Sequence, residues 1–188
     1  MDIDHRDIAK RVIELSGGKQ KLNDEMDQKL ARINEKWDQD VGAIGRILRA
    51  HLFVEHFITE CLIAFNPALG GLEKARLSFA QKLALIEDYS PETQELAVGI
   101  RRLNKIRNQL AHNLEAMLTD QDKESLLSVK TFRALREELA KPGTPSDNSM
   151  DVLEDFAKHV GSRLNSLADP DSLANRFRQA LRESAQRT

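Results

Sequence analysis

The sequence contains a single cysteine, so no disulfide framework can form within the chain. Cys61 has no second cysteine to pair with, whereas small secreted domains without a large core depend on several disulfides. A chain of 188 residues buries roughly 70% of the surface that it exposes when unfolded, so it needs neither disulfide nor metal to fold. We interpret Cys61 as a small core residue, and its isolation suits a reducing cytoplasm.

Long apolar runs and a large excess of one charge are also missing. No stretch approaches the about 18 apolar residues of a membrane span, and the beginning, MDIDHRDIAK, lacks the basic patch and apolar run of a signal peptide. We therefore expect a cytoplasmic protein without a membrane partner. The net charge of −2 means that binding to nucleic acid would need a local basic patch.

No run of alternating apolar and polar residues is long enough to predict a strand, and the expected fold class is all-α. Proline and glycine divide the chain into amphipathic segments. The predicted helices cover residues 4–15, 22–37, 41–65, 72–89, 91–117 and 120–140, with further helices at about 152–167 and 173–181.

These segments predict a helical core with appendages. Residues 1–40 form an N-terminal arm, 41–140 an antiparallel four-helix bundle, 141–149 a linker rich in proline and small polar residues, and 150–188 C-terminal helices. The arm carries one apolar seam: Leu22, Met26, Leu30, Ile33 and Trp37. Such a seam needs a partner, for which the C-terminal stripe is a candidate: Val152, Phe156, Val160, Leu164 and Leu167.

The segment NKIRNQLAHN, from Asn104 to Asn113, breaks the pattern of an ordinary amphipathic helix. Arg107 falls within an apolar stripe, where an unpaired charge is costly, so we expect it to be buried beside a carboxylate, a ligand or a second subunit. His51 and Glu55 lie one turn apart in the apolar helix 41–65. Either Glu55 and Arg107 form a structural ion pair, or His51 and Glu55 support a functional site.

The same helix carries three further cations. Arg101, Arg102 and Lys105 occur without a neighbouring carboxylate in the segment, so they either bind RNA phosphates or form a solvated face. Asn108 and His112, four residues apart, share a face of the helix.

A metal site is considered at four residues of helix 41–65: His51, Glu55, His56 and Glu60. The first two point about 140° away from the last two on an ideal helix, so the four cannot surround one ion. The sequence also lacks a phosphate-binding glycine loop. We expect neither a metal nor another cofactor.

The motif RNQLAH resembles that of the HEPN superfamily of small helical domains, over about residues 41–140. The resemblance implies a homodimer in which the motifs of two protomers line a shared cleft that cuts RNA without metal. Arg107 and His112 would then be the catalytic pair, and Asn108 a polar helper. The stretch LGGLEKARLSFAQKLALI also resembles, more distantly, the mannitol operon repressor family of regulators.

The chemistry of RNA cleavage fits these residue types. A histidine can transfer protons near neutral pH, and an arginine can stabilise the charge of a phosphorane. On an ideal helix, however, side chains five residues apart point about 140° apart. Either the helix distorts near Ala111, or the site combines Arg107 of one protomer with His112 of the other.

Two functions follow from the sequence. The first is a metal-independent endoribonuclease of the toxin or antiphage type, acting as a homodimer on RNA and controlled by a protein antidote. The alternative is a non-catalytic helical regulator or protein-interaction module, in which Arg107 is structural and the arm binds a regulatory partner.

Overall fold

The computed structural model describes residues 5–67, 75–113 and 116–185, and this part of the chain is helical without any strand. The all-α class is therefore confirmed. The described helices are α1 (His5–Leu15), α2 (Lys19–Trp37), α3 (Val41–Phe65), α4 (Phe79–Glu87), α5 (Pro91–His112), α6 (Asp120–Leu127), α7 (Lys130–Leu139), α8 (Ser149–Ala168) and α9 (Leu173–Ala185). Within them, none has the length and apolar character needed to span a membrane. The predicted helical residues 4, 72–74 and 114–115 lie outside the described residues.

The chain divides into two units, residues 1–40 and residues 41–188. In the first unit, α1 and α2 contact each other across a turn in which Gly17 and Gly18 adopt left-handed φ angles of 79° and 117°. Glycine is the residue that tolerates this conformation. Neither helix has a buried residue, so the described part of this unit, residues 5–40, has no core of its own.

In the second unit, the helix that packs most extensively on α3 is α8. The C-terminal stripe that we considered as a partner for the arm lies instead in the core of this unit. Arg46 Nη2 donates to Glu154 Oε2 over 2.8 Å, and Arg49 Nη2 donates to Glu154 Oε1 over 2.7 Å. The predicted core boundary at residue 140 is therefore wrong, because α8 completes the apolar face of α3.

The helices do not alternate in direction as we expected. Residues later in α3 contact residues later in the α4 region: His51 stacks on Phe79, Glu55 pairs with Lys82, and Phe65 stacks on Tyr89. Helix α4 thus runs parallel to α3, and an antiparallel four-helix bundle over 41–140 is not what the structure contains.

The contacts that α8 makes with α5 and with α3 show the relative directions of these helices. A Cβ on Gly99 would meet the ring of Phe156, and Arg163 pairs with Glu92, so α5 runs antiparallel to α8. Helix α8 in turn runs parallel to α3, because Glu154 lies beside Arg46 and a Cβ on Gly161 would meet the ring of Phe57.

Three predicted helix bounds also change. Helix α4 begins only at Phe79, after a capping box in which the Ser78 and Gln81 side chains accept from each other's backbone N–H. Helix α5 ends at His112, short of the predicted residue 117. The predicted helix 120–140 is two helices, because the chain breaks at Ser128 and the buried Val129.

Candidate functional site

The motif lies at the C-terminal end of α5, the third helix of the second unit, where it was predicted. Ser90 caps this helix in a second capping box with Thr93, and Pro91 occupies its first turn. A cleft of about 820 Å³ runs along the last three turns of α5 and faces the start of α6. Its lining includes Asn104, Lys105, Asn108, Gln109, His112 and Gln121.

The cleft brings His112 and Asn108 together but does not include Arg107. His112 and Asn108 are exposed, whereas Arg107 is only half-buried and not deeply buried as we expected. The Arg107 guanidinium donates from Nη1 to Asn108 Oδ1 over 3.2 Å. One protomer therefore does not place Arg107 and His112 in the same cleft. This agrees with the geometry of an ideal helix, on which side chains five residues apart point about 140° apart.

Glu55 pairs with Lys82 and not with Arg107. Lys82 Nζ lies 2.8 Å from Glu55 Oε1, and both side chains are mostly buried. Within the described residues Arg107 forms no ion pair, so the predicted structural pair with Glu55 is wrong. Helix α4 supplies the cation because it runs alongside α3, a packing that the residue pattern of α3 and α5 could not reveal.

His51 is buried and does not line the cleft, but it contacts Asn104, which does. Its ring stacks on Phe79 with centroids 4.2 Å apart, and its Nε2 lies 3.1 Å from Asn104 Oδ1. Burial lowers the pKa of His51 below its ordinary value, and the charge of Arg107 adds to this effect, although Asn104 and Glu55 oppose it. The ring is therefore neutral at neutral pH.

Two of the three predicted RNA-binding cations are already paired with carboxylates. Arg101 pairs with Glu87 of α4, and Arg102 Nε donates to Asp122 Oδ1 over 2.6 Å. The buried Asp122 also caps α6, because its Oδ2 accepts from the N–H of Thr119. Lys105 is exposed and forms no ion pair within the described residues.

Asn104 and Asp122 are residues of the site that the sequence interpretation missed. A threonine three residues before Asp122 is a capping-box signal visible in the sequence, but its pairing with Arg102 requires the tertiary fold. Asn104 lies one turn before Asn108 on the same face of α5, which would have been sufficient to include it.

The described residues contain no group of three or more histidine, cysteine, aspartate or glutamate side chains that could hold a metal ion. Cys61 is fully buried, and burial raises the pKa of its thiol to about 12. This thiol stays protonated and is not a nucleophile.

Comparison with protein-family models, curated proteins and solved structures gives no match to this chain. The cleft itself is therefore the feature that indicates a function. The described lining offers a histidine, an unpaired lysine and several amides, a set that can donate hydrogen bonds to an anion and transfer a proton.

Proposed function

We propose that the cleft along α5 binds RNA and that the protein is a metal-independent endoribonuclease of the HEPN toxin or antiphage type, acting as a cytoplasmic homodimer. The observation that carries this proposal is that His112, Asn108 and Lys105 face one cleft. An imidazole, an amide and an ammonium group are together suited to a phosphodiester undergoing proton transfer.

In the proposed reaction, the 2′-hydroxyl of RNA attacks the adjacent phosphorus and the 5′-oxygen of the next nucleotide leaves. His112 takes the proton of the attacking 2′-hydroxyl and returns a proton to the departing 5′-oxygen, and Lys105 holds phosphate by its charge. Arg107 lies outside the cleft of its own protomer, so the arginine that stabilises the phosphorane comes from the second copy of the chain. A toxin of this kind would be produced together with a protein antidote.

The test compares the parent protein with His112→Ala on total RNA and transfer RNA. We expect the substitution to slow cleavage by about 100- to 10,000-fold, the usual contribution of a proton-transfer group. His56→Ala is the matched control, because His56 is exposed on α3 and does not line the cleft. Cleavage should continue in excess chelator and weaken as salt increases.

Intact RNA with the parent protein, or equal cleavage by the parent and His112→Ala, would contradict the proposal. Light scattering provides a separate check on the composite site. A protein that cleaves RNA yet remains monomeric at high micromolar concentration would exclude the contribution of Arg107 from a second copy.

A second candidate is a non-catalytic helical regulator that resembles the mannitol operon repressor family. The observation that favours it is that Arg101 and Arg102 are neutralised by Glu87 and Asp122, which reduces the positive charge available for RNA. If the parent protein leaves RNA intact and has no effect on bacterial growth, this candidate replaces the ribonuclease.

A further inference from the structure

The side-chain amide of Asn104 is held in one orientation by His51. The distance of 3.1 Å joins His51 Nε2 to Asn104 Oδ1. An amide oxygen only accepts hydrogen bonds, so the imidazole must donate and Nε2 must carry its proton. Asn104 lines the cleft, and with its oxygen engaged by His51 it has its NH₂ group left for the cleft.

Asn108, one turn later, is held in the same way by Arg107. Arg107 Nη1 donates to Asn108 Oδ1 over 3.2 Å, and Asn108 also lines the cleft. A guanidinium can only donate, so this contact also engages the amide oxygen. Two residues that do not line the cleft therefore leave two amide NH₂ groups for it.

The histidine that holds Asn104 is buried and packed against an aromatic ring. His51 is only 5% exposed, and its ring is stacked on Phe79 with an interplanar angle of 29°. Because burial lowers the pKa of His51, the ring is neutral and has a single N–H to donate. That proton is on Nε2, which fixes both the tautomer of the histidine and the orientation of the amide.

Two further charged residues of the cleft, Lys105 and Asp122, differ in whether their charge is already paired. Lys105 lies between the two asparagines in sequence and lines the cleft without an ion pair among the described residues. The one carboxylate of the described lining, Asp122, already accepts from Arg102 Nε at Oδ1 and from Thr119 at Oδ2. Asn104, Asn108 and Lys105 therefore offer a ligand two amide NH₂ groups and an ammonium.

We propose that the amide NH₂ groups of Asn104 and Asn108 and the ammonium of Lys105 form a subsite for a phosphate group, and that His51 and Arg107 are its positioning residues. This inference deepens the proposed ribonuclease, since the phosphates of RNA would occupy the subsite, but it requires only binding and no cleavage. It also gives Arg107 a role within its own protomer.

The experiment follows the ¹⁵N-labelled side-chain amides of the full chain by NMR during titration with inorganic phosphate. A second titration uses a 2′-deoxy oligonucleotide, which has no 2′-hydroxyl and cannot be cleaved by the proposed reaction. We expect the NH₂ resonances of Asn104 and Asn108 to shift in both titrations. A shift with phosphate alone would identify the ligand as free phosphate rather than a nucleic acid and would contradict the assignment to RNA.

Asn104→Asp is the sharpest variant, because it keeps an oxygen for His51 and replaces the NH₂ donor with a second oxygen. We expect phosphate binding to weaken by at least about tenfold. Asn165→Asp makes the same change of charge at an exposed position of α8 outside the cleft, and it should leave binding unchanged. Equal affinities for these two variants would overturn the proposal.

The positioning roles have their own readout. His51→Phe retains an aromatic ring against Phe79 but removes the N–H donor, so the Asn104 resonance should lose its response to phosphate while the Asn108 resonance keeps it. Arg107→Leu should have the opposite effect. If either variant alters both responses or neither, while its circular dichroism matches that of the parent, the positioning roles are wrong.

The two proposals fail in distinguishable ways. If the parent protein binds phosphate at Asn104 and Asn108 but leaves RNA intact, the ribonuclease is wrong and the subsite stands. RNA cleavage by a protein whose Asn104 and Asn108 resonances never respond to phosphate overturns the subsite and leaves the ribonuclease standing.

Discussion

His159 of α8 is a buried histidine whose two ring nitrogens have no hydrogen-bond partner within the described residues. The residue is 7% exposed and lies against the ring of Phe132. Burial lowers the pKa of His159 below 6.5, and the charge of Arg163 adds to this, although Glu92 and Glu95 oppose it. Protonating such a ring favours the unfolded chain, in which water solvates the charge.

We predict that His159→Leu stabilises the protein, and that the gain increases as the pH falls below 6.5. The pKa of His159 is lower in the folded state, so its contribution to stability is fully present above 6.5 and is lost as the pH drops. Removing an unsatisfied buried group should itself contribute about 1–3 kcal/mol. Urea unfolding at pH 8 and pH 5 measures both effects.

The control for this prediction is His56→Leu, since His56 is exposed on α3. If the parent and His159→Leu lose the same stability between pH 8 and pH 5, then His159 is not the group that titrates. His51, which is also buried and has a lowered pKa, contributes to the acid sensitivity that remains in the variant.

At the scale of single residues, the sequence predicted which side chains share a helix face better than it predicted their partners. His112 and Asn108 could be assigned to one face because helical spacing fixes that relation. The partners of Glu55 and Arg102 come from α4 and α6, and no periodicity within α3 or α5 contains that information. The same holds for the two amides of the subsite. Asn108 is held by Arg107 of its own helix, whereas Asn104 is held by His51 of α3.

At the scale of helices, Gly99 allows α5 and α8 to approach closely. A Cβ at this position would overlap the ring of Phe156, which is fully buried. The absence of a side chain is therefore a packing requirement, even though glycine is a poor residue for the interior of a helix.

We predict that Gly99→Ala lowers the free energy of unfolding by about 1–3 kcal/mol, because the buried ring has little room to move. Gly45→Ala is the matched control. Gly45 lies inside α3 with no atom within 4 Å of the added Cβ, so alanine should stabilise the protein by up to about 1 kcal/mol through helix propensity. Chemical denaturation measures the two changes, and shifts of the same sign would contradict the packing argument.

The break between α6 and α7 shows why some helix bounds could not be predicted. The Thr131 N–H, in the first turn of α7, donates to Glu95 Oε1 of α5 over 3.0 Å. This acceptor thus comes from a distant residue, whereas the caps of α4 and α5 are Ser78 and Ser90, directly before their own helices. Local caps can be read from a sequence, but a cap supplied by another helix cannot.

At the scale of the whole molecule, all buried hydrophobic residues of the described chain belong to residues 41–188, and several come from α8. The linker 141–149 suggested a boundary because proline and glycine commonly mark one. The structure instead uses this segment to return the chain to α3, with Asn148 capping α8.

We predict that residues 41–188, expressed without the arm, fold cooperatively with nearly the midpoint of the full chain. Residues 41–140 should fail to fold, because without α8 the apolar face of α3 loses its main covering. Circular dichroism and thermal melting distinguish the two fragments. A cooperative transition for 41–140 would show that α8 is an accessory helix.

The pairing of α3 with α8 also affects how the chain is synthesised. Arg46 and Glu154 meet in the fold although they are 108 residues apart in sequence. At the usual rate of about 5–20 residues per second, the ribosome makes α8 some 5–20 seconds after α3. During that interval the apolar side of α3 lacks its main native cover, so the nascent chain passes through a period in which chaperones and other nascent chains can bind it.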